Sequence, residues 1–161
     1  MSSVPALHPS VPALHQAVCE ITAAIAGAPL DERLQQRLND EFGPSSALYA
    51  RLREACEQGV AEGALCAREA GGIRYGRVFK PEQALQGFSV DVVNMQDIAG
   101  PHHEHPLGEI DLVMPLDADA RFDGHGAGWV VYGPGSAHRP TVRQGRALVL
   151  YLLPQGQIRF S

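Results

Sequence analysis

The chain of 161 residues is one domain's length, and with 45% hydrophobic and 19% charged residues it reads as globular rather than disordered. Its formal charge is −5, from 13 basic and 18 acidic residues, so there is no cationic surplus for phosphates and no nucleic-acid partner is expected. No apolar run is long enough to span a membrane, and the first residues lack the basic and apolar regions of a secretory signal. Cys19, Cys56 and Cys66 show no paired spacing, so a reduced, cytoplasmic protein without a disulfide framework is expected, with Cys56 and Cys66 as small core residues.

In chain order, Val-Pro-Ala-Leu-His occurs at 4–8 and again at 11–15, too short for a repeat fold, and residues 1–10 read as a mobile tail. A helical stripe begins near Pro12 with Leu14, Val18, Ile21 and Ile25, and Gly27 and Pro29 stop it. Leu30, Leu34, Leu38 and Phe42 form a second stripe, with Asp31 and Glu32 in its first turn. Ser45 or Ser46 then caps a third helix carrying Leu48, Leu52 and Cys56. From residue 72 the period changes to two. Strands are expected around Ile73–Phe79, Phe88–Val93 and Ile110–Met114, and at 128–132 and 146–153. Short strands separated by Gly and Pro, with no βαβ alternation, predict an antiparallel sandwich or barrel. The expected divisions are a tail at 1–11, a helical segment at 12–70 packed on the β part or at a dimer contact, and a β domain at 71–161.

The chemistry concentrates in Pro101-His102-His103-Glu104-His105-Pro106-Leu107-Gly108-Glu109-Ile110-Asp111. On an extended strand His103 and His105 face one side, and a turn at Pro106-Leu107-Gly108 can return Glu109 to the same place. A second glycine turn, Gly133-Pro134-Gly135, leads to His138. Three imidazoles and one carboxylate suit a single divalent transition metal: iron, manganese, nickel, cobalt or zinc. By alternation His102 and Glu104 point away from that site, and His125 lies in a turn composition. Asp111 shares the Glu109 face, where a buried carboxylate either orients a ligand or moves protons. Twelve arginines stand against one lysine, and Arg74, Arg77, Arg139 and Arg143 fall in or beside the β part, where a guanidinium suits a carboxylate.

His103-x-His105-x3-Glu109, followed by Gly135-x2-His138, resembles the two cupin motifs, although Gly133 stands where the second motif usually has Pro. The resemblance implies a small antiparallel jelly-roll β-barrel, α+β and mainly β, with metal held by His103, His105, Glu109 and His138. Longer stretches, among them Gly71-Gly72-Ile73-Arg74-Tyr75-Gly76-Arg77, Gly128-Trp129-Val130-Val131-Tyr132 and Leu150-Tyr151-Leu152-Leu153-Pro154, resemble the 4-hydroxylaminobenzoate lyase family of small bacterial proteins from about residue 15 to the end. That resemblance implies conversion of 4-hydroxylaminobenzoate to 3,4-dihydroxybenzoate with release of ammonia, a step in bacterial nitroaromatic degradation, by a homodimer. In such an enzyme the metal would serve as Lewis acid or hydroxide source, and Asp111 or Glu109 would move protons. Arg74, Arg77 or Arg139 would hold the ring carboxylate of the small aromatic acid. Tyr75, Trp129 and Tyr132 would pack on its ring or simply fill the wall. Two other readings share the ligand set: a cupin dioxygenase acting on an aromatic acid, and a cupin that binds metal or a small molecule without turnover.

Overall fold

The computed structural model describes residues 9–161. Most of the expected tail, residues 1–8, lies outside the described residues. The first helix, α1 (Ser10–Ala24), opens two residues ahead of Pro12 and buries Leu14, Ala17, Val18 and Ile21. Pro12 fits there because a proline in the first helical turn gives up a backbone donor that has no intrahelical partner. In α2 (Glu32–Phe42), Asp31 acts as the N-cap rather than a first-turn residue, its side chain accepting from Leu34 N at 3.0 Å. Ser46 caps α3 (Ala47–Ala61) by accepting from Tyr49 N at 3.1 Å.

Ten strands follow. One sheet has the order β1 (Arg68–Ala70), β2 (Ile73–Phe79), β3 (Phe88–Ala99), β9 (Thr141–Pro154), β5 (Glu109–Pro115), β7 (Gly128–Tyr132), with β6 (Arg121–Phe122) paired to β9. A smaller sheet has the order β10 (Arg159–Phe160), β4 (His103–His105), β8 (Ser136–His138). Every pairing among the described residues is antiparallel. This is the expected jelly-roll arrangement in an open form: the two sheets face each other without closing into one hydrogen-bonded ring. The β3–β9 ladder runs further than the apolar runs suggest. A register shift between Gln96 and Ile98 lets β3 bend, and Asp97 Oδ1 accepts from Gln144 N at 2.7 Å across the bend.

The large sheet is covered on both sides. Val90, Val92, Ile110, Leu112, Met114, Leu148, Leu150 and Leu152 pack with the helices, including Leu14, Val18, Leu38 and Leu52. Val93, Met95, Val113, Val149 and Tyr151 face the interior with Phe122 and Val142. Period two therefore separates two buried faces, not a wet face from a dry one, and all seven residues of β5 are buried. Glu109 and Asp111 consequently point into the protein rather than to solvent.

Candidate metal centre and adjoining cavity

The extended β4 puts His103 and His105 on one face, and its pairing with β8 sets His103 opposite His138. The second glycine turn is built as a type II turn: Ser136 N donates to Gly133 O at 3.1 Å, Pro134 takes the second position, and Gly135 takes φ +80° at the third. The displaced proline is thus accommodated. Gly135 N also donates to His105 O at 2.8 Å, tying the turn to β4. Gly108, at φ +93°, returns the chain to Glu109; a Cβ there would lie 2.8 Å from Tyr132 O and 2.7 Å from Leu30 Cδ2.

These turns bring one ligand atom each from His103, His105, Glu109 and His138 within 4.8 Å of one another. Glu109 Oε1 lies 3.3 Å from His105 Nε2 and 3.5 Å from His103 Nε2, and Oε2 lies 3.6 Å from His138 Nε2. His103 Nε2 and His138 Nε2 are 3.1 Å apart. The hydrogen-bond network assigns the His105 tautomer and orients the His138 ring. Ser136 Oγ donates to Gly133 O at 2.6 Å, so it accepts from His105 Nδ1 at 3.0 Å, leaving the Nε2 lone pair facing Glu109. His138 Nδ1 donates to Asp123 Oδ2 at 2.6 Å, which likewise turns its Nε2 to the cluster. Although close, the carboxylate is not aligned for hydrogen bonding: His105 Nε2 and both Glu109 oxygens are buried without a partner. Lone pairs converging in a dry site need a cation between them, and these four residues fit a divalent metal.

The electrostatics agree. Burial alone would raise the Glu109 carboxyl, but His103, His105, His138 and Asp111 together hold it well below the usual carboxylate range. Asp111 goes the other way: burial, then the Glu109 charge beside it, pushes its carboxyl well above that range. It is fully buried and neither oxygen has a hydrogen-bond partner. Asp123 resists the upward push of burial through His138, Tyr132 and the Thr141 N–H, and stays low. For His138, burial lowers the imidazole, but Asp123 and Glu109 prevail and raise it to about 9.

A cavity of about 770 Å³ adjoins the cluster, with His103 in its wall. Leu65, Ile73, Val93, Met95 and Phe160 make it apolar, and Tyr75, Arg77, Asp91 and Tyr151 add polar groups. Arg68 and Lys80 complete the charged lining. Of the substrate-binding candidates, Tyr75 and Arg77 are in this wall. Arg74 and Arg139 are not: Arg74 stands 3.9 Å from Glu69, and Arg139 donates to Gly100 O at 3.2 Å. Trp129 lies in the helix-facing core, 2% exposed, with Nε1 donating to Phe42 O at 2.9 Å. Tyr132 donates to Asp123 Oδ2 at 2.6 Å. His102 and Glu104 turn outward, to Ser161 and Arg159. His125 is exposed in its turn, Cys56 and Cys66 are buried, and no cysteine among the described residues is in a disulfide.

Sequence reasoning missed Asp123 and Tyr151. Asp123 reads as a turn residue, and indeed it sits in a turn at φ +48°, yet its side chain orients His138. Only the fold brings it there. Tyr151 reads as one more apolar strand residue; its inward placement is set by its position opposite both Asp91 and Asp111.

The family model described as PnbB: 4-hydroxylaminobenzoate lyase matches residues 16–160. A 4-hydroxylaminobenzoate lyase of Nocardioides sp. (strain LMS-CY) is 36% identical over 139 residues, 81% of this chain and 82% of that one. A protein of the same name from Pseudomonas putida is 30% identical over 159 residues, covering 88% of this chain and 90% of its own. Among solved structures, a chain from the crystal structures of the DMSP lyases RdDddP and RnDddQII superposes with a TM-score of 0.50 at 17% identity, over 97% of this chain and 100% of that chain. At that identity the likeness is one of fold.

Proposed function

The chain belongs to the 4-hydroxylaminobenzoate lyase family, and from that membership we propose that it converts 4-hydroxylaminobenzoate to 3,4-dihydroxybenzoate with release of ammonia. The observation that carries this reading is the convergence of His103, His105, Glu109 and His138 beside an apolar cavity that shares His103 with them. A divalent transition metal held by these four residues would supply Lewis acidity at the edge of the cavity.

The overall change consumes one water molecule. The N–O bond breaks heterolytically with protonation of the departing oxygen, leaving an electron-poor ring. Water adds at the carbon beside the nitrogen-bearing one and loses a proton. The nitrogen is then an imine, which a second water hydrolyses to ammonia, and tautomerisation restores the aromatic ring. Asp111, kept neutral beside the Glu109 carboxylate, carries a proton for the first step. Glu109 keeps its negative charge, as ligation requires. Asp123 and Ser136 fix the His138 and His105 rings, and the apolar wall packs against the aromatic ring. Tyr75 and Arg77 form part of the wall against which the ring rests; Arg74 and Arg139 lie outside it. The same reading puts the reaction in the cytoplasm and in a homodimer, as the family resemblance implies.

The test is anaerobic incubation of the purified protein with 4-hydroxylaminobenzoate. Equal amounts of ammonia and 3,4-dihydroxybenzoate support the lyase. Turnover that requires and consumes oxygen would replace it with the dioxygenase.

A further inference from the structure

The charged lining of the cavity is unequally committed. Arg77 is taken: its Nε and Nη2 reach the two oxygens of Asp91 at 2.9 and 3.2 Å, and Nη2 also donates to Gly156 O at 3.3 Å. Asp91 is the one carboxylate in the lining, so that pair cancels. Arg68 and Lys80 remain, and neither has a hydrogen-bond or ion-pair partner among the described residues. Both are exposed, so the cationic ends are hydrated and available.

Their presence on this wall follows from the backbone. Arg68 is directly opposite Tyr75 in the β1–β2 ladder, and directly opposed residues share a face. In β2 the inward residues would be Ile73, Tyr75, Arg77 and Phe79. A register shift between Arg77 and Phe79 inserts Val78 as an extra residue, so that Val78 and Lys80 join the lining while Phe79 turns to His15 of α1. The bulge therefore brings the chain's single lysine to the cavity wall. A protein of net charge −5 thus keeps two unmatched positive charges on an apolar cavity, an arrangement that concentrates anions there.

We propose that Arg68 and Lys80 are the carboxylate anchor of the substrate site, selecting a monoanionic acid with an apolar ring, and that Arg77 is held back from this role by Asp91. The identity of the acid rests on the lyase reading; the anchor itself does not. The positive charge along this wall draws the carboxylate, while the ring lies on the apolar lining that His103 also borders. The anchor sets affinity and substrate choice, and takes no part in bond breaking.

The test compares Arg68→Gln, Lys80→Gln and the double variant with the wild type. Arg33→Gln, the same charge loss at an exposed position on α2, serves as the control. Binding of 4-nitrobenzoate and of neutral 4-nitrobenzamide is measured by calorimetry, and KM and kcat with 4-hydroxylaminobenzoate. Each single variant is expected to weaken 4-nitrobenzoate binding about tenfold, as loss of a charge-assisted contact does, leaving the amide unchanged. KM should rise with kcat retained, and Arg33→Gln should match the wild type. Unchanged 4-nitrobenzoate affinity in the double variant, or equal losses for acid and amide, would overturn the anchor. A wild type that binds 4-nitrobenzoate with this charge dependence yet releases no ammonia would end the lyase reading and leave the anchor standing.

Discussion

Asp111 and Asp123 show how position decides what a carboxylate does. Asp111 is sealed beside a carboxylate that the imidazoles keep ionised, so it holds its proton. Replacing it with Asn keeps the size and removes that proton; turnover should fall about a hundredfold, with metal content unchanged. Equal turnover in Asp111→Asn would remove its proton-transfer role. Asp123 instead accepts from His138 Nδ1, Tyr132 Oη and Thr141 N, and stays charged. Asp123→Asn should weaken metal affinity about 10–100-fold by loosening the His138 ring, as measured in a competition titration with a chromophoric chelator. His103, His105 and Glu109 were legible in the sequence from one local pattern, and His138 from its glycine turn and the two-motif resemblance. Asp123 was not legible, because it lies 15 residues before His138 and meets it only through folding.

At the level of elements, α2 does more than cover apolar surface. β7 is an edge strand, and α2 side chains satisfy its free backbone groups. Asn39 Oδ1 accepts from Trp129 N at 2.7 Å, Asn39 Nδ2 donates to Trp129 O at 2.9 Å, and Gln35 Oε1 accepts from Val131 N at 2.8 Å. Asn39→Ala should cost about 2 kcal/mol in chemical denaturation by stranding those groups, with metal content retained. A change below about 0.5 kcal/mol would show that water replaces the side chain. The helices and the long strands were readable from period 3.6 and period 2. The short strands β1, β4, β6, β8 and β10 have too few residues to show a period, and β3 and β9 outrun their apolar segments because pairing carries them on. Lys80 shows the same limit: the bulge that brings it to the cavity wall leaves no mark in a hydrophobic pattern.

The whole molecule is a three-layer assembly of helices, large sheet and small sheet, and the site lies where the two sheets meet. The small sheet supplies three imidazoles and the large sheet supplies Glu109. Metal removal should therefore loosen the contact between sheets as well as abolish chemistry. The metal-free protein carries a pH signature through His138, whose value in the folded chain, about 9, exceeds the free value of 6.5. Its stabilisation is fully present below 6.5 and is lost as pH rises through 9, so the melting temperature of chelator-treated protein should fall across that window. A metal-loaded sample should lose this dependence, since a ligated nitrogen carries no proton. The most direct measurement determines bound metal by mass spectrometry and ammonia release from 4-hydroxylaminobenzoate in one anaerobic preparation of wild type and Glu109→Gln. The account predicts about one divalent transition metal per wild-type chain with stoichiometric 3,4-dihydroxybenzoate, and loss of both metal and product in Glu109→Gln. Full turnover from metal-free protein would contradict it.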